Sequence, residues 1–239
     1  MSIMEEFNKT VDIVISRFNE DLKWTLEYPF NRFNYIVYNK GVNEEFVKDH
    51  VKEIINIDNV GNECHTYLYH CYLKYNELSD ITVFLPGSVE QPFKKYKAVF
   101  TLEYILTNNC AVFWGWKVNN VKDHLYDFQL DSYRGLSEKN QILHKGSELI
   151  PCNSRPFGKW FEHMFGNVKV EYWSYNSIFS IDKRDILSKS TEYYKEFYTL
   201  FTNINMELVH YVERCWNGIF YPLNYTVCVE QKINIPEIL

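Results

Sequence analysis

The sequence has almost no alanine, no cluster of basic residues and no long apolar run. Ala98 and Ala111 are its only alanines, so a core has to be built from Tyr, Phe, Ile, Leu and Val. Aromatic residues make up 18% of the chain and apolar residues 46%. At 239 residues, the chain is long enough for one large domain and too short for two of ordinary size.

These absences argue against several classes of protein. The formal net charge is −6 without any Lys/Arg-rich run, whereas nucleic-acid-binding proteins use a basic face to hold the phosphate backbone. No apolar run approaches the ~20 residues that a membrane-spanning helix needs. We therefore expect neither a nucleic-acid partner nor a membrane span. A nucleotide-sized anion remains possible, because it needs only one or two cations and some backbone N–H groups.

The cysteines and the first residues indicate a reducing compartment. Six cysteines are spread along the chain without a CxxC pair, a pattern typical of free thiols. The N-terminal residues MSIMEEFNKT contain carboxylates and no apolar segment of the signal-peptide type. A cytoplasmic location is the expectation.

Common catalytic motifs are also missing. There is no HExxH, no P-loop, no GxGxxG and no GxSxG elbow. His65 and His70 are five residues apart, whereas a zinc pair on a helix needs a spacing of four. The sequence also contains no Asp-x-Asp pair, and no metal site is predicted from it.

Strand and helix patterns alternate along the chain. Buried-type strands are predicted at residues 11–15, 35–38, 53–57, 81–85 and 110–116. Helices are predicted at 44–49, from 62 along an apolar stripe that reaches Leu78, at 94–107 and at 155–165. Two further helical stretches are predicted over 191–220, hinged near 203–205, with the second at 208–220. A strand pair is predicted at 168–173 and 176–181, and a loop bordering a site at 117–150. This order predicts a single α/β domain with a mostly parallel central sheet flanked by helices.

Polar side chains follow the first two predicted strands. They are Arg17, Asn19 and Asp21 after the first strand and Asn39 and Lys40 after the second. Because neighbouring parallel strands end at the same edge of a sheet, these groups can line one ligand-binding crevice. They can equally be ordinary loop residues with turn chemistry.

Two further positions could carry chemistry. Asn62 and Glu63 lie in the first turn of a predicted helix, which fits either an anion site or a self-capped helix. Glu213 lies at the margin of the apolar stripe of the last helix, where partial desolvation would raise its pKa and suit a general base. A structural carboxylate paired with an arginine is the alternative for Glu213.

Three blocks of sequence resemble a poorly characterised family of unknown function that is grouped with the GT-A nucleotide-diphospho-sugar transferases. The first comprises residues 16–24 (SRFNEDLKW) and 37–41 (VYNKG), and the second 59–68 (NVGNECHTYL) and 80–85 (DITVFL). The third comprises 155–160 (RPFGKW), 177–181 (SIFSI) and 210–220 (HYVERCWNGIF). The ordered set covers most of residues 11–221.

The resemblance implies a glycosyltransferase that moves a sugar from a nucleotide sugar to a hydroxyl acceptor such as a glycan. It implies a nucleotide-binding half at 11–90, an acceptor half at 91–221 and a tail at 222–239. The residues implied at the nucleotide are Ser16, Arg17, Asn19, Asp21, Asn39, Lys40, Asn62 and Glu63. Glu213 would be the catalytic base, and Trp160, His210 and Arg214 would bind substrate.

One departure from GT-A enzymes concerns the metal. Most of them carry Asp-x-Asp after the strand that corresponds to residues 81–85, and it holds Mn²⁺ or Mg²⁺ on the diphosphate, but this chain continues with Pro86-Gly87-Ser88. Arg17, Lys40 and backbone N–H groups could neutralise the diphosphate, other carboxylates could hold a metal, or activity could be lost. The last case would leave a non-catalytic glycan-binding or structural module. An open crevice that contains Arg17, Lys40 and Glu213 would favour the enzyme. A crevice that is filled by Trp or Tyr side chains would favour the module.

Overall fold

The computed structural model describes residues 8–133 and 147–231. The strands in this part of the chain are β1 (Val11–Arg17), β2 (Asn34–Asn39), β3 (Val51–Asn56), β4 (Ile81–Pro86), β5 (Val112–Lys117), β6 (Tyr172–Trp173), β7 (Phe179–Asp182) and β8 (Val227–Glu230). The α-helices are α1 (Asn62–Leu73), α2 (Pro92–Asn108), α3 (Val121–His124), α4 (Phe157–Phe165), α5 (Lys183–Ile186), α6 (Thr191–Tyr198), α7 (Glu207–Arg214) and α8 (Trp216–Ile219). Two 3₁₀ turns, Lys23–Leu26 and Phe30–Arg32, connect β1 to β2.

The central sheet has five strands in the order β3-β2-β1-β4-β7. The first four run parallel, and β7 pairs antiparallel with β4. Ile13 in β1 lies opposite Tyr35 on one side and Val83 on the other. The α/β class and the core strands predicted at 11–15, 35–38 and 81–85 are confirmed, and the sheet as a whole is mixed.

Helices cover both faces of this sheet in one compact domain. Alternate strand residues point to opposite faces, so Val14 and Phe84 pack with α1, α7 and α8, while Ile13 and Val83 pack with α2. Strands buried on both faces read as continuous apolar runs, which is why β1 and β4 are recognisable in the sequence. No helix among the described residues is long and apolar enough to cross a membrane.

The second half of the chain forms a small sheet in the order β6-β5-β8. The predicted pairing of segments 168–173 and 176–181 is wrong, because β6 pairs with β5 and β7 pairs with β4. Asn176 and Ser177 adopt left-handed backbone angles, with φ of 71° and 48°, and this bend directs the chain from one sheet into the other.

Three helix predictions need correction. Residues 44–49 form no helix, because Asn43 and Phe46 are fixed by contacts with Arg17. Helix α1 ends at Leu73, before Tyr75 and Leu78, which the predicted apolar stripe included. The helix predicted over 208–220 is two helices, α7 and α8, separated at Cys215, whose φ of −121° departs from helical geometry. Residues 134–146 of the predicted loop lie outside the described residues.

All six cysteines are free, as predicted. Cys64, Cys71 and Cys215 are buried, and Cys110, Cys152 and Cys228 are half-buried.

Candidate functional site

A cavity of about 240 Å³ lies at the carboxyl ends of β1, β2 and β4. This is slightly below the ~300–1,000 Å³ that is usual for small-molecule pockets. The first turn of α1 and one side of α7 close it. Its walls are formed by Ser16, Arg17, Phe18, Asn19, Glu20, Lys40, Asn59, Asn62, Glu63, Pro86, Gly87, Ser88, Gln91, Phe93, Lys94, Tyr133, Tyr175, Asn176, Ile204, Val209, His210 and Glu213.

The ends of β1 and β4 approach each other closely at Gly87. Its N–H donates to Ser16 O at 2.7 Å, and its carbonyl accepts from Trp24 Nε1 at 3.0 Å. A Cβ at this position would lie 2.7 Å from Glu20 Oε2. A larger residue at position 87 would therefore disturb the position of the Glu20 carboxylate at the end of β1.

Glu20 occupies the backbone donors at the end of β1. Its Oε2 accepts hydrogen bonds from the N–H groups of Phe18 at 2.8 Å and Asn19 at 3.1 Å. Successive backbone N–H groups of this kind commonly bind anions. In this protein the anion is supplied by the chain itself.

Arg17 is almost completely buried and holds the loop that follows β2. Its NH1 donates to Asn39 Oδ1 and to Asn43 O, both at 2.6 Å, and its NH2 donates to Asn43 Oδ1 at 3.0 Å. Its Nε donates to Glu20 O at 2.8 Å, and the guanidinium lies 4.6 Å from the centre of the Phe46 ring. Four hydrogen bonds thus commit the guanidinium to the protein.

Lys40 is also buried at the cavity wall. Its Nζ donates to Val60 O at 2.6 Å and to Asn62 O, so it holds the segment that leads into α1. Burial, only partly offset by the nearby carboxylate of Glu63, lowers the pKa of Lys40 to about 7. The amine is therefore balanced between its charged and neutral forms near neutrality.

Glu213 faces the cavity from α7. Its Oε1 accepts from the N–H of Asn176 at 2.8 Å, and its Oε2 lies 3.8 Å from Arg214 NH1. Burial raises the pKa of Glu213, with the negative charge of Glu63 adding to the effect and the Arg214 charge opposing it. A carboxyl with a raised pKa is suited to taking up a proton near neutral pH.

Eight of the twelve predicted site residues line the cavity. They are Ser16, Arg17, Asn19, Lys40, Asn62, Glu63, His210 and Glu213.

The other four lie elsewhere. Asp21 is exposed and pairs with Lys23 at 2.9 Å, while Asn39 supports Arg17. Trp160 is buried in the aromatic core beside Phe157, Phe165 and Tyr211. Arg214 stacks between Phe128, 4.1 Å from its ring centre, and Tyr175, 5.1 Å from its ring centre.

Several lining residues were not anticipated from the sequence. Ser88 and Lys94 follow β4, the third core strand, and the rule that pointed to the ends of the first two strands would have found them. Tyr133 lies in the loop at 117–150 that was predicted to border a site, but no sequence signal singles out this tyrosine. It lies at the cavity because its ring packs 4.1 Å from that of His210, centre to centre.

The sequence matches no protein-family model, and a search of curated proteins finds no match.

Proposed function

We propose that this protein is a GT-A-like glycosyltransferase that moves a sugar from a nucleotide-sugar donor to a hydroxyl acceptor. The observation that supports this most strongly is the single cavity that contains Glu213 together with polar and cationic side chains from the ends of three parallel strands. In open α/β sheets, that edge is where nucleotides bind. The resemblance of the ordered sequence blocks points to the same activity.

In this proposal, Glu213 takes the proton of the acceptor hydroxyl. The acceptor oxygen forms a bond to the anomeric carbon while the bond from that carbon to the diphosphate breaks, and the diphosphate leaves with the electron pair. Base catalysis of this kind is typically worth ~10²–10⁴-fold. Burial and the charge of Glu63 raise the affinity of Glu213 for the proton, which supports this role.

Mn²⁺ or Mg²⁺ would be held by carboxylates in a GT-A enzyme with Asp-x-Asp. Within residues 8–133 and 147–231, no group of three His, Cys, Asp or Glu side chains is placed to hold a metal ion. The residues present do not fit a metal centre, and we derive no step through one.

The alternative is a non-catalytic glycan-binding or structural module. A crevice filled by Trp or Tyr side chains would favour it, and Tyr133 and Tyr175 line part of this cavity. The cavity also contains Arg17, Lys40 and Glu213, the combination expected of the enzyme, although the two cations are hydrogen-bonded to protein atoms. We therefore favour the transferase.

The test is a thermal-shift and calorimetry panel of nucleotide sugars, with and without Mn²⁺. A ligand at 100 times its Kd should stabilise the protein by about 2.7 kcal/mol. Turnover with the donor that binds should fall at least ~100-fold in Glu213→Gln, which keeps the shape and removes the base. Donor affinity should change little. If no nucleotide sugar gives a response, the module becomes the better description.

A further inference from the structure

The turn after β4 raises the question of what neutralises a phosphate in this cavity. Asp-x-Asp is replaced there by Pro86-Gly87-Ser88, and the described carboxylates do not form a metal centre. The Lys and Arg side chains that line the cavity are Arg17, Lys40 and Lys94.

Two of these cations are committed to the protein. The guanidinium of Arg17 makes four hydrogen bonds to protein atoms and is 1% exposed. The Lys40 amine donates to two backbone carbonyls and is 7% exposed. Breaking such buried hydrogen bonds to reach a ligand would leave carbonyl groups unpaired, at a cost of ~1–3 kcal/mol each.

The backbone donors at the end of β1 are committed as well. Phe18 and Asn19 both donate to the carboxylate of Glu20. A phosphate placed at these N–H groups would have to displace a negative charge that is already bound. The anion site therefore lies on another wall of the cavity.

Lys94 differs from the other two cations. It is half-buried in the first turn of α2, and its Nζ donates to Ser88 Oγ at 2.7 Å. Among the described residues, no carboxylate forms an ion pair with Lys94, whereas its neighbour Lys95 pairs with Glu27 at 2.7 Å. An ammonium group has three N–H donors, so Lys94 has donors to offer a ligand after its bond to Ser88.

We propose that Lys94, oriented by Ser88, binds the phosphate oxygens of the ligand in place of a metal ion. This rests on the proposed function and identifies the group that stabilises the leaving diphosphate. As the bond to the sugar breaks, negative charge grows on the diphosphate, and a fixed cation beside it lowers the barrier. The hydroxyl of Ser88 keeps the flexible lysine side chain directed at that position.

The experiment is calorimetry of UDP, GDP, CDP, ADP and inorganic pyrophosphate in EDTA, repeated with Mn²⁺. Lys94→Gln should weaken binding at least tenfold, and Lys94→Arg should retain most of it. Lys95→Gln is the matched control, because Lys95 pairs with Glu27 and does not line the cavity. The Lys95→Gln variant should bind each probe as tightly as the wild type does. Thermal melting of each variant verifies that the fold is intact.

The outcomes separate this proposal from the transferase assignment. If nucleoside diphosphates bind to the Lys94→Gln variant as tightly as to the wild type, the Lys94 site is wrong and the proposed transferase function is unaffected. Pyrophosphate binding that depends on Lys94, without binding of any nucleoside diphosphate, would support the site and count against a nucleotide-sugar donor. Binding that requires Mn²⁺, or no binding of any probe, would overturn the Lys94 proposal.

Discussion

The N–H of Asn176 donates to Glu213 Oε1 at 2.8 Å, and the carbonyl of the same peptide group, Tyr175 O, accepts from Lys97 Nζ at 3.0 Å. One peptide unit therefore connects a buried lysine on α2 to the carboxylate that we propose as the base. Asn176 reaches this geometry with a left-handed φ of 71°. The position of Glu213 thus depends on a turn that is remote from α7 in sequence.

This hydrogen bond makes Glu213→Gln informative about stability as well as turnover. A glutamine oxygen can still accept from Asn176, so the variant removes the ionisation and keeps the contact. The pKa of Glu213 is raised above its ordinary value of 4.5, so its stabilising effect is fully present below pH 4.5 and is lost as pH rises through the folded-state pKa. Relative to the wild type, Glu213→Gln should therefore gain stability as pH rises.

The measurement is urea unfolding of both proteins at several values between pH 4.5 and 9. The difference between their free energies of unfolding should grow with pH and then level off. A difference that stays constant would mean that Glu213 is not perturbed in the folded protein. A difference that shrinks would mean that Arg214 outweighs burial and lowers the pKa.

Lys40 and Lys97 should titrate far below ordinary lysines. Burial lowers the pKa of each to about 7. In the unfolded chain these amines stay protonated up to about pH 10.5. Between pH 7 and 10.5 the unfolded state therefore binds more protons than the folded state, so the free energy of unfolding rises with pH.

NMR of the ¹³Cε signals of labelled lysines measures this directly. Two signals should change position near pH 7. One of them should be absent from the spectrum of Lys40→Met, and the other from that of Lys97→Met. Lys23 is the internal control, because its hydrogen bond with Asp21 raises its pKa above 10.5. If every lysine signal titrates above pH 9, the folded protein hydrates both buried amines.

Arg17 should prove to be a stabilising residue rather than a phosphate ligand. Arg17→Met removes the hydrogen bonds to Asn39, to Asn43 and to Glu20 O. Hydrogen bonds to charged groups are worth ~1.5–3 kcal/mol each, so we expect a loss of about 3 kcal/mol or more in the free energy of unfolding. Arg17→Lys should also lose stability, because an ammonium group cannot reproduce the planar fork.

Urea unfolding measures this loss, and Arg32→Met at an exposed arginine is the control, expected within about 0.5 kcal/mol of the wild type. If the Arg17→Met variant is as stable as the wild type but no longer binds nucleotides, Arg17 is a phosphate ligand and this prediction is wrong.

The sequence predicts the framework better than it predicts the roles at the site. Buried strands such as β1 and β4 each contain an uninterrupted apolar run, at residues 13–15 and 83–85, and their ends locate the cavity because parallel strands end at one edge. A sequence pattern does not show which polar side chain has a buried partner. Arg17 and Asp21 look equivalent in the sequence, yet one supports the loop from inside and the other points into solvent.

Long-range contacts explain the remaining errors. Residues 44–49 have local helix propensity, but the stacking of Phe46 on Arg17 and the bonds of Asn43 to Arg17 hold the segment in another conformation. Tertiary contacts of this kind commonly override weak propensities. Lys94 was missed because the strand-end rule was applied only to the first two strands, and Lys94 follows the third core strand, β4.

Glu207, at the start of α7, is completely buried. Its Oε1 accepts from the N–H of Leu130 at 2.8 Å and from the hydroxyl of Tyr211 at 3.0 Å. Its Oε2 accepts from the N–H of Cys152 at 2.8 Å and pairs with Arg155 Nε at 3.0 Å. One carboxylate thus joins α7 to two separate stretches of chain.

Glu207→Gln should therefore destabilise the protein strongly. The amide nitrogen of glutamine would face an N–H donor, and Arg155 would lose its buried counter-charge while keeping its ion pair with the exposed Asp131. Removing one partner of a buried ion pair costs ~3–5 kcal/mol, and we expect a loss of about 3 kcal/mol here because Arg155 is partly exposed. Chemical denaturation measures it, with Glu192→Gln as the control, since its exposed pair with Lys195 is worth only ~0–1 kcal/mol. Equal, small losses in both variants would show that water already shares the donors around Glu207.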